Sequence, residues 1–138
     1  MKRIFLDTNI LVDLIADRQP FSKLAVEIVE LAESRDLELY TSSQAFATTY
    51  YLLKKFIDEK QLREILFDLL DFVQVISVSQ EIIKKSLKSE HKDFEDAIQI
   101  NSAYSIANMD CIVTRNPKDF KRSEIEVFTP DEFVRKIQ

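Results

Sequence analysis

Ile4, Phe5 and Leu6 are three consecutive large apolar residues with an acid, Asp7, directly behind them. An uninterrupted apolar run of strand length fits a strand buried on both faces, the interior position of a parallel sheet. After Asp7, the residues Ile10, Leu11, Leu14 and Ile15 follow the 3.6-residue period of a helix. Strand, acid, helix in that order puts a carboxylate at the carboxyl end of an interior strand, the edge where open parallel sheets bind ligands. Asp7, Thr8 and Asn9 are equally the residue types that cap helices. Taken alone, the motif reads as a cap or as a site.

Composition narrows the choice of chemistry. The chain has 138 residues, enough for one domain with a real core, and 46% apolar and 31% charged residues. Residues 1–138 are therefore expected to form a single domain. No stretch approaches the roughly 18 apolar residues that cross a bilayer, and no secretory signal is visible. A single cysteine, Cys111, excludes an internal disulfide and a Cys-based zinc site, and its neighbours Ile112 and Val113 make it a buried inert thiol. The expectation is a cytoplasmic protein without membrane contact. There is no glycine, so every Gly-rich phosphate cradle is excluded. Left-handed helix ends must then use Asn, Asp or Ser. A net charge of −5 argues against an all-basic face for duplex nucleic acid but leaves room for a local basic patch.

Further along, Pro20 opens a helix through Arg35, and Leu37–Tyr40 is a second strand. Thr41-Ser42-Ser43 starts a helix with Phe46, Tyr50 and Leu53 in register, and another helix runs over 59–72. Val73–Val78 alternates as a third strand, and Ser79 caps a helix ending near His91. A helix over Asp93–Ala107, strands at Cys111–Thr114 and Ile125–Phe128, and a capping box at Thr129-Pro130-Asp131-Glu132 complete the pattern. Short strands alternating with helices predict an α/β fold with a mostly parallel sheet of about five strands. The helices between Ser42 and Phe72 have no strand between them and predict an αα-hairpin that walls one side of a cleft.

Two further acidic clusters follow strands or open helices. In Asp93-Phe94-Glu95-Asp96-Ala97, Asp93 is an N-cap candidate, while Asp96 shares the inward face with Ile100 and Ala103. A carboxylate on that face needs a partner. In Thr114-Arg115-Asn116-Pro117-Lys118-Asp119-Phe120 a buried strand again ends in a polar turn. If the sheet is parallel, Asp7, Asp96 and Asp119 meet at one edge. Two charges about 4 Å apart repel by about 4 kcal/mol at an effective dielectric near 20. Such a cluster raises its own pKa values or recruits a cation. Oxygen donors without His or Cys suit Mg²⁺ or Mn²⁺, and a divalent ion there suits phosphoryl chemistry.

Asp7-Thr8-Asn9 after the first strand, Asp96-Ala97 in a late helix and Thr114 to Phe120 near the end resemble the PIN domain, above all the VapC-type toxins of prokaryotes, in the right order and over essentially the whole chain. The resemblance implies a three-layer α/β/α sandwich and a Mg²⁺- or Mn²⁺-dependent endoribonuclease acting on RNA. It also implies a homodimer neutralised by a cognate antitoxin protein. Carried over by position, Asp7, Asp96 and Asp119 are the metal ligands, with Asn116 supporting them through an uncharged oxygen. Two of the family's acids are missing. The glutamate of the helix after the second strand falls on Thr48, flanked by Ala47 and Thr49, and the acid after Thr114 falls on Asn116. Reduced ligand charge predicts weak, about millimolar, metal affinity and slow or lost cleavage. The alternative is that Glu95 swings in to replace the missing glutamate, and its helix position argues against that.

Arg115 and Lys118, beside Asn116 and Asp119, are the expected phosphate binders. Tyr51, with Tyr50, is a candidate for stacking on unpaired bases, although Tyr50 lies on an apolar face. His91 reads as an exposed helix end. The rival to the nuclease is a catalytically weak or inactive PIN-like module that binds RNA or protein. A phosphatase of the haloacid-dehalogenase type, with Asp7 as nucleophile, lacks its second acid because Asn9 stands in that place.

Overall fold

The computed structural model describes residues 1–17 and 20–138. In chain order the elements are β1 (Arg3–Leu6), α1 (Thr8–Ala16), α2 (Phe21–Ser34), β2 (Glu38–Ser42), α3 (Ser43–Leu53), α4 (Glu59–Leu69), β3 (Val73–Ile76), α5 (Gln80–Leu87), α6 (Phe94–Tyr104), β4 (Cys111–Val113), a 3₁₀ turn (Pro117–Phe120), β5 (Glu126–Phe128) and α7 (Pro130–Ile137). The sheet has the order β3-β2-β1-β4-β5, and every pairing is parallel. β1 is thus the middle strand, with Phe5 level with Tyr40 on one side and Ile112 on the other. The chain order reverses between β1 and β4, which opens a crevice at their carboxyl ends.

Alternation along β1 makes the layers. Ile4 and Leu6 join a core with Ile10 and Leu11 of α1, Ile28 of α2, Leu53 of α3 and Phe133 of α7. Phe5 points to the opposite face and packs with Ile100 and Ala103 of α6 and Phe120 of the 3₁₀ turn. The three β1 residues are completely buried, and each contributes about 2 kcal/mol of hydrophobic stabilisation. The result is the expected three-layer α/β/α sandwich. Among the described residues no helix is long and apolar enough to cross a membrane.

Helix ends without glycine are managed as expected: Asp17, Asp36 and Asn108 take the left-handed conformation, with φ of 51°, 54° and 63°. Several elements are shorter than periodicity predicts. β3 stops at Ile76 because the Val78 N–H turns to the Ser43 hydroxyl at 3.0 Å. α5 stops at Leu87 rather than near His91. The Ser89 hydroxyl donates to the Ser86 carbonyl at 2.9 Å, and Ser86 donates back to Ile82 at 2.8 Å, so side chains take the carbonyls of the last turn. α4 ends at Leu69, where Phe72 N–H donates to the Leu69 carbonyl and Leu70 N–H to that of Phe67, tightening the final turn.

Candidate functional site: an acidic cavity at the carboxyl edge of the sheet

Asp7 leaves β1 with its own N–H still bonded to the Val113 carbonyl of β4 at 3.0 Å. Its side chain is a cap and a site residue at once. Oδ1 accepts from the Thr8 N–H at 2.7 Å, which starts α1. Oδ2 accepts from the Thr114 hydroxyl at 2.7 Å and from Asn9 Nδ2 at 3.3 Å. The loop after β4 is tied to the same group: Arg115 N–H donates to Asn9 Oδ1 at 3.2 Å and Asn116 N–H to Thr114 Oγ1 at 3.1 Å. The carboxylate is therefore held by both strands that flank the crevice. Burial pushes its pKa up, the Thr114 and Thr8 hydrogen bonds pull it down, and the charge of Asp119 raises it further.

Asp96 enters from α6, whose N-cap is Asp93; the Asp93 Oδ1 accepts from the Asp96 N–H at 3.0 Å. Its carboxyl is pushed up to about 7, first by partial burial, then by the charges of Asp93, Asp119, Asp7 and Glu95. Asp7, Asp96, Asn116 and Asp119 line one cavity of about 450 Å³. The αα-hairpin supplies the facing wall through Thr48, Leu52 and Phe56, as expected of α3 and the segment leading to α4. The acids share this hollow without closing into a cage: among the described residues, no three His, Cys, Asp or Glu side chains are grouped closely enough to hold a metal ion as they stand. Thr48, where the family glutamate falls, faces the same cavity without a carboxylate.

Other expectations are revised. Arg115 borders the cavity, but its guanidinium is turned to Asp13, with Nε 2.6 Å from Oδ2 and Nη2 3.3 Å from Oδ1, and lies 4.4 Å over the ring of Phe21. Asp13 is 1% exposed, so Arg115 serves a buried acid before any phosphate. Lys118 lies in an adjoining cavity together with Asp96 and Asp119. His91 is half-buried in that same adjoining cavity, not at an exposed helix end, because α5 stops short of it. Glu95, placed elsewhere by its helix position, reaches the rim of the acidic cavity. Tyr50 packs on the core and donates its hydroxyl to Glu59 at 2.8 Å, while Tyr51 is exposed with Lys54 over its ring. Cys111 is buried and its thiol is pushed up to about 12, an inert residue as expected.

Gln99 was not singled out from the sequence. Its Oε1 accepts from the Ser42 hydroxyl at 2.7 Å and its Nε2 donates to Thr8 Oγ1 at 3.2 Å, joining α6, β2 and α1 beneath the acids. The available signal was its place three residues after Asp96, on the same helix face.

The donor set here is oxygen throughout, and the raised Asp7 and Asp96 are the electrostatic mark of carboxylates that a cation relieves. In charge and donor type the residues fit a hard divalent ion. The chain is 28% identical to Ribonuclease VapC1 of Aquifex aeolicus (strain VF5), over 98% of this chain and 95% of that protein. It superposes on a chain of a toxin-antitoxin complex from Klebsiella pneumoniae with a TM-score of 0.67 and 28% identity, covering 92% of this chain and 97% of the other. Mycobacterium tuberculosis VapC20, described as a Sarcin-Ricin loop cleaving toxin, shares the fold at a TM-score of 0.68 and 16% identity, over 90% of this chain and 98% of that one. The PIN domain profile matches residues 3–118, which include Asp7, Asp96 and the turn through Lys118, and the chain belongs to the PIN domain family.

Proposed function

We propose that this protein is a metal-dependent endoribonuclease that hydrolyses RNA phosphodiester bonds, the toxin of a toxin-antitoxin pair. The observation that carries the reading is the meeting of Asp7, Asp96 and Asp119 on one cavity, where burial first and then the charges of Asp93, Asp119 and Asp7 raise Asp96. Residues 1–138 act as one such domain, since all five strands belong to one sheet.

Asp7, Asp96 and Asp119 would hold Mg²⁺ or Mn²⁺, with Asn116 adding an uncharged oxygen. Such an ion, when bound, neutralises charge on the phosphoryl group and activates water. The rest falls to the chain itself. Thr114, Thr8 and Asn9 hold the Asp7 carboxylate in one orientation. Gln99 fixes Thr8 and Ser42 behind it, and Leu52, Leu53 and Phe56 line the cavity on the hairpin side with apolar surface. Phe56, Phe67 and Leu87 are 80%, 74% and 67% exposed, apolar surface that the reading assigns to an antitoxin protein and a second copy in a cytoplasmic homodimer.

Cleavage of RNA in Mn²⁺ by the wild type and by Asp7→Asn tests the site. Loss of activity in the variant supports it, and equal activity rejects it. A second reading, a PIN-like module that binds RNA or protein without cutting, is favoured by the open spacing of the acids and by Thr48 in the wall. Absence of both Mn²⁺ binding and cleavage in the wild type would select it.

A further inference from the structure

Behind Asp96 and Asp119 lies a second cavity of about 300 Å³ that shares those two acids with the first. Its outer wall is basic. Lys118, Lys121 and Arg122 come from the 3₁₀ turn and the residues after it, and His91 and Lys92 come from the segment before α6. The fold builds this arrangement from one anchor. Phe120, 1% exposed, is locked into the core beside Ile100 and Ala103, which fixes the turn and sends Lys118 and Lys121, three residues apart, to the same side.

Charge singles the place out. Four Lys and Arg residues face three Asp in this wall, whereas the whole chain carries −5. Asp93 is committed to capping α6, and Asp96 and Asp119 also face the acidic cavity. Among the described residues, no salt bridge uses Lys92, Lys118 or Lys121, and Arg122 pairs only with exposed Glu90, at 3.0 Å. Such a surface ion pair is weak and readily exchanged for another anion.

We propose that this basic cavity is a backbone subsite, which binds the phosphate next to the one held at the acids in an unpaired RNA strand. The inference rests on the ribonuclease reading, because it is the reacting phosphate at Asp96 and Asp119 that places its neighbour among Lys118, Lys121 and Arg122. The two cavities share Asp96 and Asp119, so a strand that occupies both crosses these two acids. A duplex holds its phosphates on a stiff, wide surface and cannot follow that path. The cations fix the position of the strand and read no base.

The test uses the full chain with Ca²⁺ in place of Mn²⁺ and a fluorescent single-stranded 2′-O-methyl oligoribonucleotide, checked for intactness after each titration and followed by anisotropy over a salt series. The triple variant Lys118→Gln, Lys121→Gln, Arg122→Gln is compared with one that removes the same charge elsewhere, at Lys60, Arg135 and Lys136. The first is expected to bind about tenfold more weakly at low salt and to lose about 0.7 from the slope of log K against log salt, the share of one phosphate contact. The control is expected to keep the wild-type slope, and a duplex of the same sequence to be indifferent to the cavity substitutions. Equal losses in both variants, or an unchanged slope in the first, overturn the subsite while Mn²⁺-dependent cleavage by the wild type leaves the nuclease reading standing. Equal loss on the duplex overturns the unpaired strand. A wild type that neither binds the strand nor cuts RNA removes both.

Discussion

Arg115 and Asp13 form a two-point ion pair, 2.6 Å and 3.3 Å, between the loop after β4 and the interior of α1. The acid is fully buried while the arginine side chain is 25% exposed. The pair anchors the loop that carries Asn116 and Asp119. Asp13→Asn is expected to cost about 2 kcal/mol, less than the roughly 3–5 for breaking a fully buried pair, because Arg115 keeps partial access to water. The urea midpoint of the variant against wild type measures it. An unchanged midpoint would mean that the loop is held by its Asn9 and Thr114 bonds alone.

The Thr114 hydroxyl is completely buried and bonds a buried carboxylate. Thr114→Val keeps the shape and removes the donor, at a cost of about 2 kcal/mol for a hydrogen bond to a charged group. The sign with pH follows from linkage. Thr114 pulls the Asp7 pKa down, so its loss raises that pKa further and weakens the folded state most where Asp7 must ionise. Denaturation curves at low and high pH should show the larger deficit at high pH.

Asp96 carries the strongest pH signature. Its folded pKa of about 7 lies above the ordinary 3.8, so the folded state binds the extra proton, and stability falls as pH rises from about 4 through about 7. Asp96→Asn removes that loss. The variant is expected to match wild type near pH 4 and to exceed it by about 1 kcal/mol at pH 8, after allowance for solvent screening of a half-exposed group. Saturating Mn²⁺ should narrow the gap in favour of wild type. Thermal melts at the two pH values, with and without the ion, measure both effects.

Thr48 faces the acids from the hairpin wall. Thr48→Glu adds a fifth carboxylate to the cavity, beside Asp7, Glu95, Asp96 and Asp119, and is expected to tighten Mn²⁺ binding about tenfold, since ligand charge tunes affinity for hard cations. The same variant should be less stable than wild type in the absence of the ion, through added repulsion. Calorimetric titration decides it; affinity equal to wild type would show that the side chain does not reach the ion.

Asp7 and Asp96 were legible in the sequence because each breaks a local rule: one ends an apolar run, the other sits on an apolar helix face. The parallel α/β fold was legible from βα repetition, whereas the strand order β3-β2-β1-β4-β5 was not, because periodicity within a strand does not say which strands pair. The pairing of Arg115 with Asp13 was not legible for a physical reason. Asp13 lies inside the apolar period of α1 and looks like a solvated residue until α1 is laid against the loop after β4. His91 was misplaced because periodicity extends α5 past Leu87, where serine hydroxyls end it. Gln99 left no mark of its own, since an amide three residues after an acid is unremarkable until Ser42 and Thr8 are brought to it from other elements.

Because β1 stands between β2 and β4 and all pairings are parallel, β1 is completed by a strand more than a hundred residues further along the chain. An emerging polypeptide carries Asp7 from the outset, yet neither the Val113 carbonyl nor the Thr114 hydroxyl that fixes it exists until more than a hundred further residues have been joined. The long sequence separation of these contacts makes closure of the sheet a late folding event. For a protein of this fold, Asp7 alone orients nothing: its carboxylate is fixed only once β4 has paired with β1 and brought Thr114 beside it.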